Sequence, residues 1–290
     1  SREGTFSDKW IDYCKNKGIL FSTVNAHLNE DRDKILNSNY FMWHWAHNYY
    51  EDKFIAPGLI YSCEQKGINT FPNIKTCIHY DNKIYQQFLL EALSIPCVNS
   101  YISTDYDSTI KWINQTEYPF VFKLICGAGS SNVSLVRSKK QALKLAKRMF
   151  SKGIESYPID YYFKESLVNF DKQQIIKSSS TLIRSIGRLV IRKKQLRKLG
   201  KEHHYFLAQD YIDKNLFDHR IIIIGDKAIC LQRGVRKGDF RASGSQHLSG
   251  NPKLFPESSI ELSFSASEKL NMQCAAFDIV YDTNNNPLIV

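Results

Sequence analysis

A short apolar strand that contains a lysine is the feature that most constrains the fold of this chain. Residues 120–124 read Phe-Val-Phe-Lys-Leu, which predicts a buried strand that carries Lys123. Residues 133–136 predict the returning strand of a hairpin, and the turn between the two strands supplies Gly127, Gly129, Ser130 and Ser131. A buried ammonium group needs a compensating anion, and backbone N–H groups of such a turn can bind phosphate oxygens. The pattern therefore predicts a phosphate cradle, while an edge-strand lysine beside an ordinary hairpin stays an open alternative.

The turn lacks the signatures of two common nucleotide-binding motifs. No Gly-Lys-Ser or Gly-Lys-Thr sequence follows the glycines, so it is not a Walker A loop. A strand rather than a helix follows the turn, which excludes the dinucleotide-binding fingerprint.

The composition is typical of a soluble globular protein, with 43% hydrophobic and 23% charged residues in 290. The sequence has no run of about 18 apolar residues that would predict a membrane span and no leader pattern at its start. Its seven cysteines form no Cys-x-x-Cys pair, which predicts free thiols. We therefore expect a cytoplasmic protein of two or three modest domains.

The net charge of +10 is concentrated in one segment. Residues 171–202 contain ten Lys or Arg and two acids, which accounts for eight of the ten net charges. Apolar residues recur there at helical spacing, so we predict a basic amphipathic helix. Such a helix suits either a cover over bound phosphates or contact with a polyanion or a membrane surface at the inner face. We expect no specific nucleic-acid partner.

Alternating strand and helix patterns predict the α/β (α+β) fold class. The predicted strands are 19–24, 40–45, 120–124, 133–136, 206–212, 220–224, 227–233, 276–281 and 287–290. The predicted helices are 56–65, 83–93, 139–150 and 267–274. Gly225 and Asp226 predict a two-residue hairpin turn.

Several polar residues stand out against these apolar elements. Asp278 is the one acid in an apolar strand, and a buried carboxylate needs a partner such as Mg²⁺. Arg233 and Arg241 lie in a basic, glycine-rich stretch that suits phosphate or carboxylate binding, or a solvated loop. The cluster Trp43, His44, Trp45 and His47 predicts core packing next to a substrate cleft rather than a metal site.

The order of these features resembles that of the ATP-grasp superfamily from about residue 74 to residue 290. It is similar to ribosomal-protein-S6 modification ligases, glutathione synthases and D-alanine–D-alanine ligases. The resemblance implies that the ATP phosphates are bound by Lys83, Lys123 and the turn at Gly127, Gly129, Ser130 and Ser131. It implies an adenine hinge at Gln209, Asp210, Tyr211 and Ile212, although the family commonly has Glu where Gln209 stands.

The resemblance also implies roles for the C-terminal residues. Asp218 would bind the ribose, Arg233 or Arg241 would support the transferred phosphoryl group, and Asp278 would be the first Mg²⁺ ligand. The family's second acid, in a Glu-x-Asn pattern, would follow Val290, and we expect the chain to stop just short of it. The implied domains are an N-terminal α/β pre-ATP-grasp domain (1–76), a central lobe (77–204) with the basic segment, and a C-terminal lobe (205–290).

The function implied is that of an ATP-dependent carboxylate–amine ligase acting through an acyl phosphate, with ATP and Mg²⁺ as cofactors. Its acceptor setting would be cell-surface polysaccharide or peptide modification. Two alternatives stay open: a phosphotransferase acting on a hydroxyl, and a non-catalytic adaptor that binds a polyanion or a membrane through its basic segment.

Overall fold

A computed structural model describes residues 6–46, 49–127, 132–156, 198–213, 215–235, 239–242 and 247–290. The described residues form three hydrophobic cores, each built around its own sheet or helix layer. No described helix combines the length and apolar composition that a bilayer crossing requires.

The N-terminal region forms the first of the three hydrophobic cores. Its elements are α1 (Phe6–Lys17), α2 (Arg32–Leu36), β1 (Tyr40–Met42), α3 (Tyr50–Gln65), β2 (Asn69–Phe71) and α4 (Ile74–Cys77). Strands β1 and β2 are parallel, as the alternating pattern predicts. The predicted strand at 19–24 is wrong: this stretch has no strand partner, and Leu20 is 99% exposed. Apolar residues alone did not make a strand there because a strand also needs a neighbour for its backbone groups.

Helix α3 begins at Tyr50, six residues before the predicted start at Ala56. Pro57 removes only one backbone donor, and the helix continues through it because Ala56, Ile60 and Cys63 are fully buried. Tertiary packing outweighs the local signal of the proline here.

The central region carries a four-stranded antiparallel sheet. Its elements are α5 (Lys83–Ala92), β3 (Ser100–Ser103), α6 (Tyr106–Gln115), β4 (Phe120–Lys123), β5 (Val133–Val136), α7 (Lys139–Met149), β6 (Ile154–Glu155), β7 (Lys201–Glu202) and β8 (Phe206–Asp210). The strand order is β3-β8-β4-β5. Strand β8 therefore belongs to the central sheet, whereas the predicted boundary at residue 204 assigned it to the C-terminal lobe. Phe206 is fully buried among the aromatic residues of β4, which explains this placement.

The C-terminal region carries a five-stranded antiparallel sheet in the order β11-β10-β9-β12-β13. Its elements are β9 (Phe217–Ile224), β10 (Lys227–Gly234), β11 (Leu248–Ser249), α8 (Glu257–Lys269), β12 (Cys274–Tyr281) and β13 (Pro287–Ile289). The predicted hairpin at Gly225 is confirmed, and Gly225 has a positive φ of 56°. The predicted helix at 267–274 is wrong in its bounds, since α8 begins at Glu257 and ends at Lys269. The buried residues of α8 are Ser259, Ser263, Ala266 and Ser267. Because serine and alanine do not form a helical pattern of large apolar residues, the sequence did not indicate most of this helix.

Gln273, just before β12, connects the N-terminal and C-terminal regions. Its side-chain Oε1 accepts the Asn73 N–H at 2.7 Å, and its Nε2 donates to the Thr70 carbonyl at 2.9 Å. Its backbone N–H also donates to the hydroxyl of Thr76 at 2.8 Å. The amide therefore satisfies two backbone groups at the turn between β2 and α4.

Replacing Gln273 by alanine should lower the free energy of unfolding by about 1–3 kcal/mol, because two backbone groups lose their partners. Urea denaturation measures this change. Gln115→Ala, at the exposed end of α6, is the matched control and should leave the stability within about 0.5 kcal/mol. Equal stability of the two variants would show that the hydrogen bonds of the Gln273 side chain do not stabilise the fold.

Candidate functional site

Lys123 lies at the end of β4, and only 9% of the residue is exposed. Its ammonium group donates a hydrogen bond to the side-chain oxygen of Gln209 on β8. Burial and, after it, the charge of Lys83 lower the pKa of Lys123 to about 7, with Asp278 offsetting part of the shift. A buried amine in this state gains its proton readily when an anion approaches.

Gln209 was predicted at the adenine hinge, and the structure directs its side chain into the interior beside Lys123. Its Nε2 lies 3.3 Å from the hydroxyl of Ser100 and 3.5 Å from the carbonyl of Val98. A neutral amide therefore stands where the family commonly has a glutamate. Because no negative charge comes with the amide, the partner of Lys123 does not neutralise it.

Lys83 is the first residue of α5, whose N-terminus is capped by the side chain of Asn82. The Lys83 ammonium donates to the carbonyl oxygens of Ile125 at 3.2 Å and Gly127 at 3.1 Å. Burial lowers the pKa of Lys83, while Asp81 acts in the opposite direction. The structure thus brings together three of the predicted phosphate ligands: Lys83, Lys123 and Gly127.

Carboxylates hold the backbone at the same point of the chain. Glu202 accepts the N–H groups of Ile125 at 2.8 Å and Cys126 at 3.3 Å, and Asp81 accepts that of Gly127 at 2.8 Å. Sequence reasoning missed Glu202, which lies 76 residues from Cys126. Gly129, Ser130 and Ser131 lie outside the described residues, as do residues 171–197 of the basic segment.

The remaining hinge residues lie at the opposite end of the central sheet. Asp210 ends β8, and its carboxylate accepts from the amide of Asn99 at 3.3 Å. Tyr211 meets Phe240 edge to face, with ring centroids 6.1 Å apart; Ile212 follows without regular structure. A cavity of about 580 Å³ opens here, lined by Val133, Ser134, Leu135, Arg137, Tyr211, Asp239, Phe240 and Arg241. Its size falls within the range of small-molecule sites.

Four alternating charges form a ladder across β10, β9 and β12. Arg233 pairs with Asp218 through two hydrogen bonds of 2.6 Å, and Arg220 pairs with Asp278 through bonds of 2.7 and 2.8 Å. Arg233 also reaches Asp278 at 3.0 Å. Both pairs are in register across neighbouring strands, which places the side chains on one face of the sheet.

The ladder changes the interpretation of Asp278. Burial favours its neutral form, but hydrogen bonds and charges from Arg220 and Arg233 outweigh burial and hold the pKa of Asp278 below its ordinary value. For Asp218, burial raises the pKa despite the contact with Arg233. Asp278 is therefore not a lone carboxylate, and Arg220 is a partner that the predictions did not include. Arg220 lies two residues after Asp218 on β9, so both side chains share one face of the sheet. This spacing was the sequence signal that could have indicated a role for Arg220 in the site.

The described residues do not by themselves fit a divalent cation. Both oxygens of Asp278 already accept from guanidinium groups, and the described part of the chain has no cluster of three acidic, His or Cys ligands. Mg²⁺ prefers several oxygen ligands in octahedral geometry. A metal ion at Asp278 would have to displace Arg220.

Two further predicted groups have local partners. The Arg241 guanidinium contacts the carboxylate of Asp239, with Nε 2.9 Å from Oδ2, on the side of the cavity. His44 packs edge to face against Phe6, with ring centroids 4.9 Å apart, and Trp43 packs against Trp45, with ring centroids 5.9 Å apart. His47 lies outside the described residues.

Comparison with known proteins identifies the fold. Residues 166–290 match the family model of the RimK-like ATP-grasp domain. No protein of curated function matches the sequence.

Solved structures extend the likeness along the chain. D-cycloserine synthetase aligns with a TM-score of 0.56 and 11% identity over 97% of this chain and 83% of that one. The biotin carboxylase domain of 2-oxoglutarate carboxylase from Hydrogenobacter thermophilus aligns with a TM-score of 0.55 and 13% identity, over 98% of this chain and 60% of that one. D-alanine–D-alanine ligase from Bacillus anthracis aligns with a TM-score of 0.52 and 12% identity, over 91% of this chain and 72% of that one.

The chain therefore has the ATP-grasp fold, and residues 166–290 are similar to the RimK-like ATP-grasp domain. It covers between 49% and 83% of the length of eight matched structures.

The ladder predicts that replacing each of its two arginines lowers the free energy of unfolding by a different amount. Arg233→Met should lower the free energy of unfolding by about 3–5 kcal/mol, because Asp218 and Asp278 lose their shared buried partner. Arg220→Met should cost less, since the Arg220 side chain is 37% exposed. Urea denaturation of both variants beside Arg148→Met, an exposed control on α7, tests the order. A loss for Arg220→Met at least as large as that for Arg233→Met would contradict it.

Proposed function

We propose that this chain, which contains a RimK-like ATP-grasp domain at residues 166–290, is an ATP-dependent carboxylate–amine ligase. The observation that carries the proposal is a pair of lysines, the buried Lys123 and the partly buried Lys83, whose ammonium groups donate to a neutral amide and to backbone carbonyls. Buried ammonium groups are stable only with an anion nearby. A triphosphate supplies that charge, and the ATP-grasp fold supports ATP as its source.

The adenine and ribose belong at the cleft between the central and C-terminal sheets. In the proposal, the backbone of residues 209–212 contacts the base, as the resemblance implies. Asp218 would bind the ribose only by sharing its carboxylate with Arg233, which already holds both oxygens. The cavity beside Tyr211 and Arg241 is the place we assign to the acceptor.

The proposed reaction has two steps. An oxygen of a substrate carboxylate attacks the γ-phosphorus of ATP, the bond to the β-phosphate oxygen breaks, and an acyl phosphate and ADP form. An amine then attacks the acyl carbon, inorganic phosphate leaves, the amine loses a proton, and an amide forms. Positioning and charge compensation supply most of the acceleration, since the protein forms no covalent bond.

Arg233 is suited to the first step because two carboxylates hold it in place. A guanidinium fixed before the reaction stabilises developing charge without reorganising. Arg241, held by Asp239 at the cavity, is the candidate for the acyl phosphate or the incoming carboxylate.

Mg²⁺ is the metal that the resemblance implies, and it would shield the phosphate charges when bound with ATP. No step of the proposal depends on Mg²⁺, because both carboxylate oxygens of Asp278 already accept hydrogen bonds from arginines. A cytoplasmic location, peptide or cell-surface polysaccharide acceptors, and contact of the basic segment with a membrane or polyanion also remain proposals.

Lys123→Ala should raise the Kd for ATP by about 10- to 100-fold, the effect of losing one charge-assisted hydrogen bond, and reduce ATP turnover below detection. Calorimetry and ADP release measure the two effects, and melting temperature verifies the fold. Lys140→Ala, an exposed lysine on α7, is the matched control. Unchanged turnover in Lys123→Ala would refute the assignment of the site.

The ratio of amine consumed to ADP released distinguishes the ligase from a phosphotransferase. With hydroxylamine as a surrogate amine and a panel of carboxylic acids, a ligase should form one hydroxamate for each ADP. ADP release with a phosphorylated hydroxyl compound and no hydroxamate would favour the phosphotransferase.

A further inference from the structure

Three consecutive backbone amides after β4 are bound by side chains from distant parts of the chain. Ile125 N–H donates to Glu202 and to the hydroxyl of Tyr205, each at 2.8 Å. Cys126 N–H donates to Glu202 at 3.3 Å, and Gly127 N–H donates to Asp81 at 2.8 Å. We call residues 125–127 the stem, because they lead from the strand of Lys123 into the glycine-serine turn.

The carbonyl side of the stem is bound by Lys83. Its ammonium group contacts the oxygens of Ile125 and Gly127 at 3.2 and 3.1 Å, and the backbone N–H of Lys83 also donates to Ile125 at 3.2 Å. The stem therefore fixes the position of a predicted phosphate ligand. A displacement of the stem would displace Lys83 with it.

Asp81 is linked in turn to the N-terminal region by Lys53, on helix α3. The Lys53 ammonium lies 3.0 Å from Asp81 Oδ2 and 2.8 Å from the sulfur of Cys126. The Asp81 side chain is 6% exposed and that of Lys53 is 24% exposed, so the pair is largely shielded from water. Burial disfavours the Lys53 cation, but Asp81 and Cys126 outweigh burial and raise the pKa of Lys53.

The stem has little room to relax at Gly127. Its φ is +125°, and a Cβ added there would lie 2.6 Å from the side-chain nitrogen of Asn132. That nitrogen in turn donates to the carbonyl of Cys126 at 2.8 Å. Only glycine fits this conformation and this contact, so the Asp81 bond acts on a tightly defined backbone.

We propose that Lys53 is a positioning residue for nucleotide phosphates: through Asp81 it holds the stem, and through the stem it places Lys83. The inference rests on the proposed function for its ligand. It deepens that function by making the N-terminal region part of the ATP site. Lys53 acts on the stem through Asp81 and through its own contact with Cys126.

Calorimetric titrations with ATP and with adenosine separate positioning from other roles. Lys53→Met should weaken ATP binding about 10-fold, which is about 1.4 kcal/mol, and leave adenosine binding unchanged. Asp81→Asn should also weaken ATP binding, and the losses in the double variant should be clearly less than multiplicative, because Lys53 and Asp81 contact each other and hold the same stem. Lys53→Arg, which keeps the charge, should restore binding to within about 3-fold.

Lys66→Met is the matched control at the C-terminal end of the same helix, where Lys66 contacts Asn37 at 3.4 Å. It should bind ATP as the wild type does. Equal losses for ATP and adenosine in Lys53→Met would indicate general damage and overturn the proposal. Multiplicative losses in the double variant would show that Lys53 and Asp81 act independently of each other, which also overturns the proposal.

Amide hydrogen exchange tests the same link without a ligand. Lys53→Met should speed exchange in the peptide that contains residues 125–127 and leave β4 and β8 protected. Unchanged exchange at the stem would refute the positioning role. If the wild type fails to bind ATP, the proposed function is wrong, and exchange alone then decides whether Lys53 holds the stem.

Discussion

Burial of the Lys123 ammonium beside a neutral amide is the constraint on which the rest of the site depends. A charge in this position is costly, and the fold does not remove the cost with a contacting carboxylate but with a lowered pKa. Lys83, the first residue of α5, adds a second, partly buried cation. Lys123 and Lys83 thus place positive charge where a bound anion would stabilise it.

The C-terminal sheet shows the opposite arrangement. Two arginines and two aspartates alternate across three strands, so their charges cancel and each side chain is fixed by at least one partner. Such a ladder gives a rigid, preorganised wall opposite the lysines. In the proposed reaction, the lysines would bind the phosphates, and the ladder would hold Arg233 in place for the charge that develops during transfer.

Much of the fold was predictable because periodicity and turn chemistry are local signals. The β9–β10 hairpin, α5, α7 and the Lys123 hairpin were predicted within a few residues. The errors arose where partners decide the outcome: residues 19–24 lack a neighbouring strand, and α8 buries serine and alanine. For the site, strand position identified Lys123 and Asp278. It could not reveal that Arg220 binds Asp278 or that Glu202 binds the stem, because these contacts join residues 58 and 76 positions apart.

The most direct test of the central claim is proton uptake when ATP binds. Because the pKa of Lys123 is about 7 in the free protein, a bound triphosphate should raise it, and the protein should take up a proton at pH 8. Titrations of ATP in two buffers of different ionisation enthalpy measure this uptake. We predict an uptake approaching one proton per ATP in the wild type and a clear reduction in Lys123→Met. Tight ATP binding with no proton uptake in either protein would contradict the claim that the buried lysine receives the phosphates.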